Sequence, residues 1–254
     1  QGVSSAASDV YKRQIVKCVR RCGLEVNDLI LQPLASSLAV LTDDEKELGV
    51  VLVDIGGGTT DIAIYFQGSI RHTAVIPIAG DQITNDIAMA LRTPTLDAED
   101  LKIAYGIARQ EMADSGAMID VPGVGDREPR PMSKQALAAV IEPRVEELFT
   151  LVRGVVRDSG YEDMVSSGIV LTGGTSLMPG MVELAEQVFL RQARIGTPEY
   201  RGHLHEVLRS PRYATSIGLL MEGQAQFLRG RRVSQSGALQ GVMSRMKEWF
   251  AGNF

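Results

Sequence analysis

The stretch VVLVDIGGGTTDIAIY, residues 50–65, combines residue types that bind phosphate. Consecutive glycines let backbone N–H groups approach an anion closely, and threonine hydroxyls add further donors. A carboxylate at the end of a strand can hold a hydrated Mg²⁺, which keeps several of its waters when bound. The sequence therefore predicts a phosphate-binding turn whose members are Asp54, Gly56, Gly57, Gly58, Thr59 and Thr60.

The flanks of these glycines predict the local structure. Residues 50–55 form a short β-branched apolar run typical of a strand buried on both faces, and residues 60–65 alternate as a second strand does. The unit is a β-hairpin, which excludes a dinucleotide fingerprint and a P-loop because both need a helix after the glycines. A turn that only needs positive φ would also favour glycine, and this structural alternative stays open.

A second glycine turn lies in GIVLTGGTSLMPG, residues 168–180, where a buried strand precedes Gly173 and Gly174 and a helix over 181–190 follows. Two such turns can approach one ligand from different sides. Between them, Glu99 and Lys102 are three residues apart on one predicted helix face, the spacing of an exposed intrahelical ion pair. Gln32 precedes Pro33 at a predicted helix start, where its side chain could cap that helix.

Composition excludes several function classes. The 254 residues are 44% hydrophobic and 22% charged, as in a globular protein, and the net charge of −5 disfavours nucleic acid as a partner. No run approaches the roughly 18 apolar residues of a membrane span, and no secretory signal is present. Cys18 and Cys22, with three histidines elsewhere, favour reduced helix cysteines over a metal site.

The remaining pattern predicts an α/β protein. A strand is expected over 24–31 and a third hairpin strand over 68–80; brief strands and loops are expected over 113–133. Helices are expected over 15–23, 81–91, 95–108, 133–160 (with Pro143 inside), 209–227 and 239–250. Residues 1–14 have no period and resemble translated adapter sequence, so we expect a non-native scar and a natural protein that begins further upstream.

Residues 239–254 predict a membrane-surface helix after the polar linker 229–238. At 100° per residue, one apolar arc contains Leu239, Val242, Met243, Met246, Trp249, Phe250 and Phe254. From Arg229 onward, five basic residues accompany one acidic residue, which suits anionic lipid. Docking of this helix onto the protein itself is the alternative.

The ordered motifs LQPLASS, DIGGGTTD, AEDLK and LTGGTSLMPG resemble the actin-like ATPase superfamily. Within it, residues 15–254 are most similar to the FtsA family of cell division proteins, to which LQPLASSLAVLTDDEKELGV and the terminal SRMKEWF are specific. The resemblance implies a partial actin-like ATPase (ribonuclease H-like) α/β fold with a small α+β subdomain and a C-terminal amphipathic helix. Its parts would be the end of a first subdomain (15–48), a second core subdomain (49–81 and 163–228) and a smaller inserted subdomain (82–162).

In the resembled family the site binds ATP and Mg²⁺. The hairpin turn would then surround the β- and γ-phosphates, with Asp54 on Mg²⁺ through water and Gln32 orienting the attacking water. Because glutamine is a poor base, hydrolysis is expected to be slow at most. The adenosine would lie against Gly173, Gly174 and Thr175, and its ribose would be bound by Glu99 and Lys102. The family's first phosphate loop and its inserted N-terminal subdomain are absent here, so we expect weak ATP binding.

The resemblance also implies a tether between the division protein FtsZ and the cytoplasmic face of the bacterial inner membrane at the septum. The FtsZ C-terminal tail would contact Arg144 and Glu147 in VIEPRVEEL, and we expect Arg144→Glu to weaken this contact with little loss of stability. Anionic lipid, other divisome proteins and further copies of the chain, in actin-like filaments, would be the other partners. An actin-like type IV pilus assembly ATPase and a sugar or acid kinase of the same superfamily are the alternatives.

Overall fold

The computed structural model describes residues 2–125, 127–199 and 208–229, which divide into two units. The first unit, Gln1–Leu31, contains helix α1 (Gly2–Arg21), and Gly23 closes this helix with a φ of +77° and a hydrogen bond to the carbonyl of Arg20. Helix α1 includes most of residues 1–14, which lack a hydrophobic periodicity. Such a periodicity indicates which face of a helix is buried and does not decide whether a helix forms.

The strand expected over residues 24–31 is not formed, and the segment has no regular secondary structure. Its apolar residues Leu24 and Leu31 are 62% and 63% exposed. An extended segment becomes a strand only when a neighbouring strand takes up its backbone hydrogen bonds, which a residue pattern cannot guarantee. The strand prediction was therefore wrong at this point.

The second unit, which begins at Gln32, is built on a five-stranded sheet of order β3-β2-β1-β6-β7. The strands are β1 (Val50–Ile55), β2 (Thr60–Phe66), β3 (Ser69–Ile76), β6 (Ile169–Thr172) and β7 (Ala193–Ile195). Strands β1, β2 and β3 are antiparallel, whereas β1, β6 and β7 run parallel. The predicted β-hairpin is confirmed, and its register places Asp54 opposite Asp61.

Helices cover both faces of this sheet. They are α2 (Gln32–Val40), α3 (Asp43–Leu48), α4 (Gly80–Leu91), α5 (Thr95–Tyr105), α6 (Lys134–Asp158, with Pro143 inside), α7 (Met181–Phe189) and α8 (214–229). A two-stranded sheet, β4 (Met118–Val121) and β5 (Arg130–Ser133), follows α5. This confirms the short strands that were expected over 113–133.

Strand β1 divides its side chains between two hydrophobic cores because successive residues of a strand point to opposite faces. Val51 and Val53 join the larger core with α4, α6 and α7, whereas Val50 and Leu52 join a smaller core with α2 and α8. Asp54 continues the even-numbered face. Its carboxylate consequently lies where the smaller core ends, on the side of α2 and α8.

Candidate nucleotide-binding cleft

The hairpin turn is held by the first residues of α4. The N–H of Gly56 donates to the carbonyl of Thr59 (3.0 Å), which closes the turn. The N–H groups of Gly80 and Asp81 then donate to the carbonyls of Gly56 (3.1 Å) and Gly57 (2.7 Å). The turn therefore has a fixed position although its middle residues are exposed.

None of the three turn glycines needs to be glycine for its backbone conformation. Gly56, Gly57 and Gly58 are absent from the described glycines with positive φ. A Cβ on Gly56 would lie 3.2 Å from the carbonyl oxygen of Thr59, whereas one on Gly57 would meet only the Asp81 side chain, at 3.2 Å, and one on Gly58 the same side chain at 3.8 Å. The positive-φ alternative therefore fails, and Gly57 and Gly58 leave open space beside their backbone.

Asp54 lies buried beneath this turn, 3% exposed. Its Oδ2 accepts hydrogen bonds from Ser36 Oγ (2.6 Å) and Thr215 Oγ1 (3.4 Å), and Gln32 is a further side-chain donor. Burial raises the pKa of the Asp54 carboxyl above its usual 3.8, and the three donors oppose that rise. Gln32 and Asp54, the two residues predicted as catalytic, thus lie close together.

A close crossing of two helices brings these donors to Asp54. A Cβ on Gly218 of α8 would lie 1.7 Å from the carbonyl oxygen of Ala35 in α2, so only glycine permits the observed approach. Beside this contact, Ser36 Oγ and Thr215 Oγ1 are 2.9 Å apart. Neither hydroxyl residue was predicted from the sequence; the small residues of ASS and ATSIG are the signal that would have indicated a close crossing.

Asp61 adds a second buried carboxylate, 7% exposed and directly across the hairpin from Asp54. Burial raises its pKa, and the negative charge of Asp54 raises it further, while a hydrogen bond from Thr59 (3.4 Å) opposes the rise. Thr60 differs from the other predicted residues because it is fully buried and its hydroxyl donates to the Ile78 carbonyl (2.7 Å). Its hydroxyl serves the fold, not the cleft.

The second glycine turn packs directly on the first. Gly173 has a φ of +86°, and a Cβ there would lie 2.4 Å from the carbonyl oxygen of Ile55. Thr175 Oγ1 donates to the carbonyl of Gly56 (2.8 Å), which joins the two turns. Gly174 is the open member, since its Cβ would meet nothing closer than Arg212 at 3.9 Å.

Glu99 and Lys102 form an ion pair of 2.6 Å, and Lys102 is buried rather than exposed. Lys102 Nζ also donates to Thr84 Oγ1 (2.8 Å) and to the carbonyl of Gly80 (3.0 Å), and Thr84 in turn donates to Glu99. Although partial burial raises the pKa of Glu99, hydrogen bonds from Lys102 and Thr84 lower it more, for a net decrease. The pair therefore fastens α5 to the start of α4, with the half-exposed Glu99 oxygens beside the cleft.

These groups line one cleft of about 410 Å³. Residues from both turns, the start of α4, α5 and the loop before α7 contribute to it. Its lining is Gly56, Gly57, Gly80, Asp81, Glu99, Lys102, Ile103, Gly106, Gly174, Thr175, Leu177, Met178, Pro179 and Arg212. The structure thus brings Gly56, Gly57, the Glu99–Lys102 pair, Gly174 and Thr175 together, and it adds Asp81 and Arg212. Gly58, Thr59 and Gly173 are not part of the lining.

Arg144 lies apart from this cleft and is not a solvated charge. It forms two hydrogen bonds to Asp86 of α4 (2.5 and 3.0 Å) and one to Glu147 (2.5 Å). The hydrogen bond to Asp86 is the main cause that raises the pKa of its guanidinium. Reversing the charge would place a glutamate against two carboxylates, so we now expect Arg144→Glu to lower stability more than a change at a solvated surface charge would.

The predicted membrane residues Leu239, Val242, Met243, Met246, Trp249 and Phe250 lie outside the described residues. Of the helices that the structure does describe, none has the length and hydropathy that a bilayer crossing needs. In the same parts of the chain, no three His, Cys, Asp or Glu side chains are grouped as a metal-binding cluster.

The fold is that of the actin-like ATPases. MreB5 of Spiroplasma citri bound to ADP superposes with a TM-score of 0.69 at 19% identity, covering 84% of this chain and 65% of that one. The PilM–PilN type IV pilus biogenesis complex gives a TM-score of 0.57 at 19% identity, covering 80% and 55%. At such identities the likeness concerns the fold alone, and it confirms the predicted fold class.

The chain belongs to the family of cell division protein FtsA, whose model matches residues 51–218. FtsA of Pseudomonas aeruginosa is 59% identical over 249 residues, which are 95% of this chain and 60% of that protein. FtsA of Escherichia coli is 43% identical over 252 residues, with the same two coverages. The chain spans about 60% of these relatives' length. The predicted family is confirmed, and the pilus and kinase alternatives are not supported.

Proposed function

We propose that this chain binds ATP with Mg²⁺ in the cleft between its two glycine turns. The observation that carries the proposal is the hairpin turn, where Gly57 and Gly58 have neither positive φ nor a close backbone contact that would require glycine. Glycine there leaves room for a phosphate to reach backbone N–H groups. The likeness to MreB5, solved with ADP and with AMPPNP, supports a nucleotide as the ligand.

The donor set of the cleft fits this ligand. Phosphates would lie at Gly57 and Gly58, with Thr59 beside them, and the ribose at Glu99, whose oxygens are held by Lys102. Asp54 and Asp61 supply carboxylate oxygens at the base of the turn, which suits Mg²⁺ held through water by one or two carboxylates and the phosphates. Mg²⁺ neutralises phosphate charge when bound. Gln32 would orient water, and it offers no strong base, so turnover would be slow.

The test compares two turn glycines that lack left-handed φ. Gly57→Val places a β-branched side chain in the cleft, and Gly116→Val makes the same change in an exposed turn with room for it. Titration with a fluorescent ATP analogue in Mg²⁺ is expected to show at least tenfold weaker binding for Gly57→Val and for Asp54→Ala. Gly116→Val should bind as the wild type does. If Gly57→Val also binds as the wild type does, the hairpin is only a turn.

We further propose that the chain takes part in cell division as its family name states, by connecting FtsZ to the inner membrane. The FtsZ C-terminal tail would bind beside α6, where Arg144 and the half-exposed Glu147 form a fixed charged pair. Glu147→Lys should weaken capture of a labelled FtsZ tail peptide, whereas Glu146→Lys, an equal change on the adjacent exposed position, should not. Equal affinities for both variants would remove Glu147 from the tail site.

The membrane part of this proposal rests on residues 239–254, whose apolar arc and basic charge suit the anionic cytoplasmic face of the inner membrane at the septum. Trp249 is the single tryptophan, so its emission reports on this segment. A blue shift that requires anionic vesicles is expected. An emission already blue-shifted and quencher-protected without lipid would contradict the tether and favour docking on the protein.

Assembly and subdomain boundaries are the remaining parts of the proposal. The actin-like fold and the FtsA family support self-association into filaments and contacts with other divisome proteins. The division into 15–48, 49–81 with 163–228, 82–162, the linker 229–238 and the helix 239–254 is proposed on the family pattern, with 1–14 as a scar.

A further inference from the structure

Asp81 borders the hairpin turn on the side that faces the cleft. Its N–H donates to the carbonyl of Gly57 at 2.7 Å. Its carboxylate oxygen Oδ1 lies 3.2 Å from the place that a Cβ on Gly57 would take, and Oδ2 lies 3.8 Å from the corresponding place at Gly58. An exposed carboxylate therefore lies beside the space that the glycines leave open.

Three carboxylates lie at or beneath this turn, and no basic side chain is paired with any of them in the described parts of the chain. In the described parts of the chain, Asp54, Asp61 and Asp81 form no ion pair. The lysine of the cleft, Lys102, is already bound to Glu99. Arg212 lies beside Gly174 of the second turn. Of the three carboxylates, Asp81 alone lines the cleft, so a phosphate at the hairpin turn would lie beside its negative charge.

We propose that Asp81 makes nucleotide binding at the hairpin turn conditional on a divalent cation. The inference rests on the proposed ATP site. Repulsion between Asp81 and a metal-free polyphosphate opposes binding, and a cation bound with the phosphates cancels that repulsion. We assign this effect to Asp81 because it is exposed at the rim of the turn, whereas Asp54 and Asp61 are buried beneath it.

The size of the effect follows from the environment. Two unit charges a few ångströms apart at a protein surface interact strongly enough to change a binding constant by about tenfold, and less at high salt. Asp81→Asn keeps the size of the side chain and removes this charge. A matched control is Asp44→Asn, which removes an exposed carboxylate from the first turn of α3 and does not line the cleft.

The experiment titrates the 254-residue chain with a fluorescent ATP analogue in low salt, once with Mg²⁺ and once with EDTA. For Asp81→Asn, the ratio of the EDTA dissociation constant to the Mg²⁺ dissociation constant should fall about tenfold relative to wild type, because metal-free binding becomes tighter. For Asp44→Asn the ratio should equal that of wild type. Thermal melting of each variant, without nucleotide, checks that the turn is still formed.

Four results would overturn the inference. An unchanged ratio in Asp81→Asn would show that its charge does not act on the phosphates, and an equal fall in Asp44→Asn would assign the effect to net charge. Weaker binding of Asp81→Asn in both buffers, with a lower melting temperature, would give Asp81 a structural role only. A wild type that binds equally well with Mg²⁺ and with EDTA would likewise overturn the inference while leaving the ATP site in place, whereas a wild type that binds in neither buffer would contradict the proposed ATP site itself.

Discussion

The two glycine turns have similar sequences, but their glycines have different reasons to be glycine. In the second glycine turn, which follows β6, Gly173 has a left-handed φ, and a Cβ added to it would lie only 2.4 Å from the Ile55 carbonyl oxygen. The fold therefore requires glycine at this position. In the hairpin turn, Gly57 and Gly58 have neither property. A glycine that the fold does not require is the better indicator of a ligand site, because its missing side chain leaves space that folding does not use.

The largest expected effect comes from Gly173→Ala. The added Cβ would clash with backbone of β1 and would strain a left-handed residue, so we expect a loss of about 3 kcal/mol or more in the free energy of unfolding. Urea unfolding measures this loss.

Gly57→Ala provides the comparison with the hairpin turn. Its Cβ would meet only a movable side chain, and we expect a change within about 1 kcal/mol. Equal losses in the two variants would mean that both turns are structural in the same way.

A smaller effect is expected for Thr175→Val, which removes the hydrogen bond between the two turns. The Gly56 carbonyl keeps its bond from the Gly80 N–H, so the loss should be about 1 kcal/mol. Combining Thr175→Val with Gly57→Val in a double-mutant cycle, read by nucleotide affinity, measures how far the turns act together. Additive effects would show two independent turns.

The smallest expected effect concerns Asp54, against whose Oδ1 Gly173 packs. The folded pKa of Asp54 is raised, so the folded state binds its proton more tightly, and stability falls as pH rises from 3.8 through the raised value. Asp54→Asn should therefore raise the melting temperature at pH 7 and lose this advantage as pH falls towards 3.8. Thermal melting at several pH values checks the sign; a lower melting temperature at pH 7 would contradict it.

The sequence correctly predicted those features that depend only on residues close together in the chain. The hairpin, the Glu99–Lys102 spacing and the second turn follow from adjacent residues, and the structure contains all three. Asp81, Ser36 and Thr215 were missed because contacts between distant segments decide their positions. The strand expected over 24–31 was wrong for the same reason, since a strand depends on a partner that its own residues do not specify.

Helices α2 and α8 cross at Gly218, close to Asp54, so a small tilt of α8 about this contact would displace the far end of the helix. Thr215, in the first turn of α8, contacts the carboxylate, and from Gly218 the helix continues to residue 229, over about 17 Å. Because Ala35 and Gly218 are in direct backbone contact, a tilt of about 5° at Gly218 would move the far end of the helix by about 1.5 Å. A displacement of about 0.4 Å at Thr215 would thus become one of about 1.5 Å at residue 229.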